Sequence, residues 1–355
     1  MSFDLIKHLT KNSIPHSVSE NGAINIPGSL ILRKNKYATS LPENLTVGGR
    51  LDLRGGTQIT ELPKNLTVGG TLYLRGTRIT ELPEDLDVGG DLDLQGTQIT
   101  TLPENLTVGS CLNLTDTLIT TLPENLTVGG CLNLTDTLIT TLPENLMVCG
   151  ALELQGTQIT TLPENLTVGG CLDLTDTLIT TLPENLTVGG WLDLRGTQIT
   201  KLPENLTAES ILDLTDSQIT ALPENLMVGS YLCLSGTQIT KLPEGLAVGA
   251  ELDLRRTKIT ALPNYFTCES LYLDPEHFSN VAFRKNCGNN NRTIFAVWAN
   301  ETFYIAAGSF YGPIEQFEDA IDRSRKYSGE AAKAYKQAGR DCIDELKEKL
   351  SARPQ

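Results

Sequence analysis

Large apolar anchors and reactive side chains are scarce in this chain of 355 residues. Aromatic residues make up 5% of the sequence and histidine occurs three times, so no catalytic triad, general-base cluster or zinc-ligand spacing is evident. No apolar run reaches the roughly 18 residues of a membrane-spanning helix. The first residues also lack the basic and apolar segments of an export signal. We therefore expect a cytoplasmic protein without cofactor, metal or membrane span.

Positive charge is sparse in the middle of the chain. Residues 41–275 contain 11 Lys or Arg against 30 Asp or Glu, whereas residues 1–40 contain 5 against 2. An acidic surface repels phosphate backbones, so nucleic acid is not an expected partner. The charge favours a protein partner with a basic surface, although acidity also keeps a long repeat protein soluble.

One phrase, Leu-Pro-Glu-Asn-Leu, recurs along the sequence and marks an internal repeat. Units begin at Leu41, Leu62, Leu82, Leu102, Leu122, Leu142, Leu162, Leu182, Leu202, Leu222, Leu242 and Leu262. Their spacing is 20 residues except for the first step of 21, where Gly55-Gly56 adds one residue. A fixed period of this length predicts one stack of small units, each of which buries its apolar face only against its neighbours.

Each unit contains the pattern x-Leu-x-Leu-x, whose period of two predicts a short strand with both leucines on the buried face. The remaining residues leave no room for a full helix, and the proline disfavours one, so we expect extended or turn-like backbone. Val-Gly-Gly is expected at a tight corner where neighbouring coils approach closely. The threonine that follows Gly or Asp is expected to form a hydroxyl ladder that bonds turn amides.

The units fall into two types at the turn after the strand. Units with Thr-Asp-Thr-Leu, such as that of Asp116, differ from units with Arg/Gln-Gly-Thr-Gln, such as that of Gly96. The linked exchange indicates a structural rather than a catalytic difference. Cys111, Cys131 and Cys171 share a repeat position with Arg, Asp and Trp, which does not fit a disulfide framework and predicts reduced thiols.

The pattern Leu-x-Leu-x-x-Thr-x-Ile-Thr-x-Leu-Pro resembles the short, Leu-Pro-containing leucine-rich repeats of bacterial proteins, including effectors of enteric bacteria. The resemblance covers residues 41–273, with Thr77 and its equivalents standing where that class usually has Asn. It implies a repeat solenoid with a curved parallel β-sheet, a non-helical convex side and a concave face that binds protein. It also implies a bacterial origin, with delivery into a host cell as an alternative to the bacterial cytoplasm.

The three x positions of each strand form three outward columns, which we number one to three in chain order. Trp191, Ile211 and Tyr231 follow one another in column one, beside acidic residues in column two. Interfaces favour aromatic anchors with polar surroundings, so these residues are the expected centre of a binding surface; lateral packing on the sheet is the alternative. The predicted partner-binding residues are Tyr73, Trp191, Asp193, Arg195, Ile211, Asp213 and Tyr231. A calcium ladder in column two lacks converging carbonyl ligands, so solvated acidity is expected there.

Both ends of the chain depart from the repeat. Residues 1–40 are expected to form a cap, with a helix at residues 3–9 and a degenerate repeat. Residues 276–355 are expected to form an α+β module containing a hairpin (residues 293–299 and 302–307) and helices at about 313–327 and 330–350. Within it, residues 310–320 resemble a short C-terminal module of phage- and prophage-encoded proteins.

Cys342 is the one candidate for a catalytic nucleophile. Effectors of the Leu-Pro class often carry a ubiquitin ligase domain with a Cys-x-Asp nucleophile motif, which Cys342 and Asp344 match. Cys342 instead lies on the apolar stripe of the expected helix, and the tail is short for such a domain. Cys268, His277 and Cys287 are spaced too irregularly for a zinc site. We expect a non-enzymatic protein-binding scaffold, with a ligase-like effector and a phage structural or counter-defence component as alternatives.

Overall fold

A computed structural model describes residues 3–55, 57–288, 291–324, 326–327 and 329–351. Gly56, the second residue of the insertion in the first full coil, lies outside the described residues, as do residues 352–355 of the tail. The chain forms two compact units. The first comprises Met1–Ile179 and Asn185–Gly190, and the second comprises Thr180–Glu184 and Trp191–Gln355.

The predicted strands exist and pair in parallel with the same position of the next coil, which we call the leucine strands. In the first unit they are Leu30–Ile31, Leu51–Asp52, Leu72–Tyr73, Leu92–Asp93, Leu112–Asn113, Leu132–Asn133, Leu152–Glu153 and Leu172–Asp173. In the second unit they are Leu192–Asp193, Leu212–Asp213, Leu232–Cys233, Glu251–Asp253 and Ser270–Tyr272. Leu112 pairs with Leu132, for example, so the register step equals one repeat. The predicted parallel solenoid of about 12 coils is therefore confirmed.

Each coil also contributes a second short strand just before its glycines, which the sequence did not predict; we call these the valine strands. In the first unit they are Ile24–Ile26, Leu45–Val47, Thr67–Val68, Asp87–Val88, Thr107–Val108, Thr127–Val128, Met147–Val148, Thr167–Val168 and Thr187–Val188. In the second they are Thr207–Ala208, Met227–Val228, Leu246–Val248 and Phe266–Thr267. Two residues are too few to show a period in the sequence, so only the pairing between coils reveals them.

The core is a stack of identical aliphatic layers. In the coil of Leu92, both strand leucines, Ile99 and the following valine at position 108 are fully buried. The leucine of each Leu-Pro pair is also buried, between 5 and 9% exposed. The proline thus fixes a non-helical segment directly beside a core residue.

The Val-Gly-Gly corner is the close approach that the sequence predicts. A Cβ added to Gly89 would lie 2.6 Å from the carbonyl oxygen of Gly69 in the preceding coil. The Gly89 amide donates a hydrogen bond to the Val68 carbonyl at 2.8 Å. Because backbone meets backbone here, glycine sets the distance between coils.

The turn after each leucine strand explains the exchange of Asp for Gly. Gly76 has φ +64° and Asp116 has φ +58°, so both occupy the left-handed region, which glycine and aspartate enter more easily than other residues. The threonine that follows behaves differently from our expectation. The Thr97 hydroxyl donates to the Leu94 carbonyl at 2.7 Å, since that acceptor, and not a turn amide, faces the buried hydroxyl.

The N-terminal cap contains one short helix, α1 (Leu5–Lys11), two residues further along than predicted. The Asp4 side chain accepts a hydrogen bond from the Lys7 amide and caps its first turn. Leu5 and Leu9 are buried. The strand Ser17–Val18 then pairs antiparallel with Ile24–Ile26, the first valine strand.

After a short 3-10 helix at Pro275–His277, the C-terminal module has four antiparallel strands and two helices. The strands are Val281–Cys287, Arg292–Ala299, Thr302–Ala307 and Phe310–Pro313, and the helices are α2 (Ile314–Arg323) and α3 (Gly329–Ser351). The predicted hairpin is confirmed as the central pair. The two flanking strands were missed, since one has three consecutive polar residues at 284–286 and no alternation, and the other ends in Pro313, which only an edge strand tolerates. The first helix is also shorter than predicted, because the backbone becomes extended at Ser324.

The module covers the last coils of the second unit. Asn300 donates through its side-chain amide to the Phe266 carbonyl at 2.7 Å, and Ser270 donates to the Ser309 carbonyl at 3.0 Å. Tyr311 stacks on Phe266 with ring centroids 6.3 Å apart. A repeat array needs such a covering element, because its last coil otherwise exposes a leucine layer. Within the described part of the chain, no helix combines the length and hydrophobicity needed to cross a bilayer.

Candidate functional site

The predicted aromatic column lies on the outward side of three consecutive leucine strands. The Leu192 amide donates to the Ile211 carbonyl, and the Leu212 amide donates to the Tyr231 carbonyl, both at 2.9 Å. Trp191 and Ile211 are half-buried and Tyr231 is 43% exposed. The structure therefore brings the three apolar side chains into one row, and Tyr231 is the most exposed of them.

Asp193 and Arg195 form a tight pair beside this row. The Arg195 Nη2 atom lies 2.6 Å from Asp193 Oδ2, and the Arg195 amide donates to Asp193 Oδ1 at 3.0 Å. Asp193 is only 5% exposed. Arg195 also lies 3.8 Å from the carboxylate of Asp213 in the next coil. The carboxylate of Asp193 is therefore already paired with Arg195, while the carboxylate of Asp213 is partly exposed to solvent.

Column two as a whole is not the solvated acidic row that we expected. Eight of its side chains each accept a hydrogen bond from the backbone amide two residues later, at 2.9–3.2 Å. These residues are Asp52, Asp93, Asn113, Asn133, Asp173, Asp193, Asp213 and Asp253. Asp and Asn share this ability, which explains why both occur there. Their first role is to close the strand end, and the recurrence of Asp or Asn before the turn was the available signal.

Tyr73, the remaining predicted residue, belongs to the first unit and contacts an arginine. The guanidinium carbon of Arg54 lies 4.1 Å from the Tyr73 ring centroid, in cation–π geometry. Arg54 also binds Asp52, with Nη2 and Oδ2 2.7 Å apart. Burial raises the pKa of Asp52, but the hydrogen bonds from Arg54 outweigh that effect and hold the pKa below its usual value.

The thiols of the second unit are poor nucleophiles. Cys342 is fully buried, its Sγ lies 3.9 Å from the Ile294 carbonyl oxygen, and burial raises its pKa to about 12. Burial, followed by the charges of Asp213 and Asp253, raises the pKa of Cys233 to about 12 as well. A nucleophilic cysteine needs an exposed thiolate, so neither residue has the environment of one.

Metal binding has no geometric basis in the part of the chain that the structure describes. No group of three or more His, Cys, Asp or Glu side chains is arranged there to hold an ion. Cys268, His277 and Cys287 are thus not brought together as a ligand set. Burial raises the pKa of Cys268 to about 12, so this thiol is neutral at physiological pH.

Coils of 20 residues with parallel leucine strands define the leucine-rich-repeat class of solenoid. No family model and no curated protein matches the chain. Among solved structures, the leucine-rich effector protein YopM of Yersinia pestis is 16% identical, with a TM-score of 0.38 over 67% of this chain and 78% of that one. A leucine-rich-repeat protein of Leptospira interrogans is 20% identical, with a TM-score of 0.31 over 70% of this chain and 91% of that one. YopM of Yersinia enterocolitica is 20% identical, with a TM-score of 0.21 over 70% and 81%.

Proposed function

We propose that the chain is a non-enzymatic scaffold that binds a protein partner on the outward face of the leucine strands. The observation that carries the proposal is the row of Trp191, Ile211 and Tyr231. Three large apolar side chains in consecutive coils stand where the scaffold needs none, since the leucines behind them already fill the core. Aromatic residues with a polar rim are typical of energetically dominant interface positions.

The surroundings of the row indicate the chemistry of the partner. Arg195 neutralises Asp193, and Arg255 binds Asp253 at 2.5 Å in the same way, so neither carboxylate is free. Asp213, 3.8 Å from Arg195, and Glu251 lie by the row with partly exposed side chains. We infer a partner that places an apolar side chain between Trp191 and Tyr231 and basic side chains opposite these two carboxylates.

The test is affinity capture from the native bacterium with the full chain as bait. The double variant Trp191→Ser, Tyr231→Ser should lose the partner that the wild-type chain retains, because it removes both rings and leaves the leucine layers intact. The matched control is Met227→Ser, which removes a 62% exposed apolar side chain of the same unit from a valine strand. Equal capture by the double variant and the wild type would contradict the proposal.

The ligase-like alternative depends on Cys342. Its burial and raised pKa oppose attack on a thioester, and we expect a Cys342→Ala variant to behave as the wild type does in an assay of ubiquitin thioester formation. A thioester that forms on the wild type and disappears in this variant would establish the alternative instead.

The alternative in which the C-terminal module is the active part needs a milder test than deletion. Because the module covers Phe266 and the last coils, its removal would expose them and confound any result. The exposed face of α3 offers point variants such as Asp344→Lys, whose ion pair with Lys347 (3.2 Å) is on the surface. Retained capture in that variant supports the repeat face as the binding element.

A further inference from the structure

A second outward face, in the first unit, has the opposite charge. At columns one and three, the first coils carry Arg33, Arg50, Arg54 and Arg75. Asp52, in column two, lies among them, and Asp93 of the next coil pairs with Tyr73 at the border of the face. In the following coils of this unit, outward Asp and Glu residues occur without an outward Lys or Arg. We call these four arginines, with Tyr73 and Ile31, the arginine face.

Backbone register places these arginines next to one another. Ile31 pairs with Asp52, and Asp52 pairs with Tyr73, so the side chains of three adjacent coils lie in one row. Arg33, Arg54 and Arg75 each lie two residues further along, on the same side of their strands. Coils are separated by about 4.8 Å, so the three guanidinium groups cover a span of about 10 Å.

The centre of the face is held in place by its own contacts. Asp52 is 3% exposed and binds both Nε and Nη2 of Arg54, at 3.0 and 2.7 Å. The Tyr73 ring lies against the other side of that guanidinium. This arrangement fixes Arg54 as a planar donor, so little side-chain entropy is lost when a ligand binds beside it.

The outer arginines remain available. Arg33, Arg50 and Arg75 are exposed, and within the described residues none of them forms an ion pair or a side-chain hydrogen bond. Ile31, at the edge of the row, is 48% exposed. Unpaired guanidinium groups around a fixed one, with an apolar side chain on either side, form a carboxylate-binding surface.

We propose that the arginine face binds a short acidic segment of a partner protein. Carboxylates match the guanidinium groups bidentately, and Tyr73 and Ile31 supply apolar contact for the segment. A long polyanion such as nucleic acid fits poorly, because it would continue past these coils onto the acidic ones. This inference shares with the proposed function only the assumption that the chain binds protein. It is tested separately, with a peptide that does not involve the row of Trp191, Ile211 and Tyr231.

The experiment measures binding of a fluorescent hexaglutamate peptide to the full chain by anisotropy, in low and high salt. The variant Arg33→Glu, Arg75→Glu should weaken binding at least about tenfold, since it reverses two unpaired charges. The matched control is Arg78→Glu, an exposed arginine in the same coil as Arg75 but outside the outward columns; it should change affinity less than about twofold. Circular dichroism spectra of all variants should coincide.

Each other outcome contradicts the inference. Equal loss in the control variant would reduce the effect to net charge. Tighter binding of a single-stranded DNA hexamer with the same dependence on Arg33 and Arg75 would assign the face to nucleic acid. Self-association that the double variant abolishes would make a second copy of the chain the occupant. The Trp191→Ser, Tyr231→Ser variant should bind hexaglutamate normally, so failure of this inference and failure of the proposed function are distinguishable.

Discussion

The two outward faces lie on the same side of the leucine strands but differ in side-chain chemistry and in the column that carries it. In the first unit, Arg33, Arg54 and Arg75 follow one another in column three, with Tyr73 against Arg54. In the second, Trp191 and Tyr231 flank Ile211 in column one. Both faces contain the same Asp-x-Arg pair, which closes the strand end and leaves the arginine stem on the surface. The difference shows that recognition on this scaffold depends on the outward columns, while the leucines, glycines and turn residues maintain one coil geometry.

The largest effect should come from breaking the shared geometry at a close approach. We expect Gly89→Val to lower the free energy of unfolding by about 3 kcal/mol or more, because its Cβ would overlap the Gly69 carbonyl oxygen. Gly96→Asp, in the same coil, is the control. Its φ of +65° suits Asp, and no atom lies within 4 Å of the added Cβ, so a loss of less than about 1 kcal/mol is expected. Urea unfolding followed by circular dichroism compares them; similar losses would show that the close approach does not control stability.

Removing the arginine of the Asp-x-Arg pair compares how strongly each face depends on this ion pair. Arg54→Gln should cost about 2 kcal/mol because it leaves the nearly buried Asp52 carboxylate without its partner, and Arg195→Gln about 1 kcal/mol because Arg195 is more exposed. The pKa of Asp52 is lowered in the folded state, so its contribution is present above the ordinary carboxyl pKa of about 3.9 and is lost as the pH falls through the lower folded value. The difference in unfolding free energy between the wild type and Arg54→Gln should therefore shrink as the pH falls from about 5 to about 2. If this difference did not depend on pH, the Asp52 carboxylate would not be the group that Arg54 stabilises.

The buried hydroxyl of Thr97 tests how much its hydrogen bond to the strand carbonyl stabilises the turn. Thr97→Val should cost about 1 kcal/mol, since the Leu94 carbonyl loses its hydroxyl donor while the shape of the side chain is kept. Thr120→Val provides a threonine on the exposed side of a coil, where the unfolding free energy should change by less than about 0.5 kcal/mol. An equal change at both positions would mean that the buried hydrogen bond contributes nothing.

The smallest effect concerns an acidic residue between the two faces in the sequence. Burial, and then the charge of Asp173, raises the pKa of Glu153 above its usual value. Stability from this group is therefore present below the unfolded pKa and lost as the pH rises through the folded one. Glu153→Gln should stabilise the protein by a few tenths of a kcal/mol at pH 7 and not at pH 3, and Asn133 can still donate to the Gln oxygen. Thermal unfolding at both pH values measures the effect; destabilisation at pH 7 would show that the charge is favourable.

Features that depend on the local sequence pattern could be predicted from the repeat. The alternation of Leu51 and Leu53 predicted the strand and its buried face, and the glycines predicted the close approach. Pairing between coils was harder to foresee, because a two-residue valine strand such as Thr67–Val68 has no period of its own. The strand Val281–Cys287 was also missed, because its polar residues 284–286 break any alternation and only its pairing with Arg292–Ala299 defines it.

One candidate site could likewise be predicted from the sequence and the other could not. Trp191 and Tyr231 could be predicted because rare aromatic residues stand out in a monotonous repeat. The arginine face was missed, because Arg33 lies in the degenerate first unit and joins Arg54 and Arg75 only through the register of the strands. The neutral pairing of Asp193 with Arg195 depends on a separation of two residues, which is common in sequences and becomes meaningful only when both side chains share a strand face.

The near identity of neighbouring coils has a consequence for how the chain finds its alignment. Residues 102–121 and 122–141 differ only at Ser110 and Gly130. A pairing displaced by one whole coil would bury the same leucines and form the same glycine contacts, so the interior of the stack does not distinguish the two arrangements. Elements that occur once, such as α1 against the first coils and the module against the last, do distinguish the two arrangements. Removing either cap would therefore take away part of what selects the correct alignment of these coils.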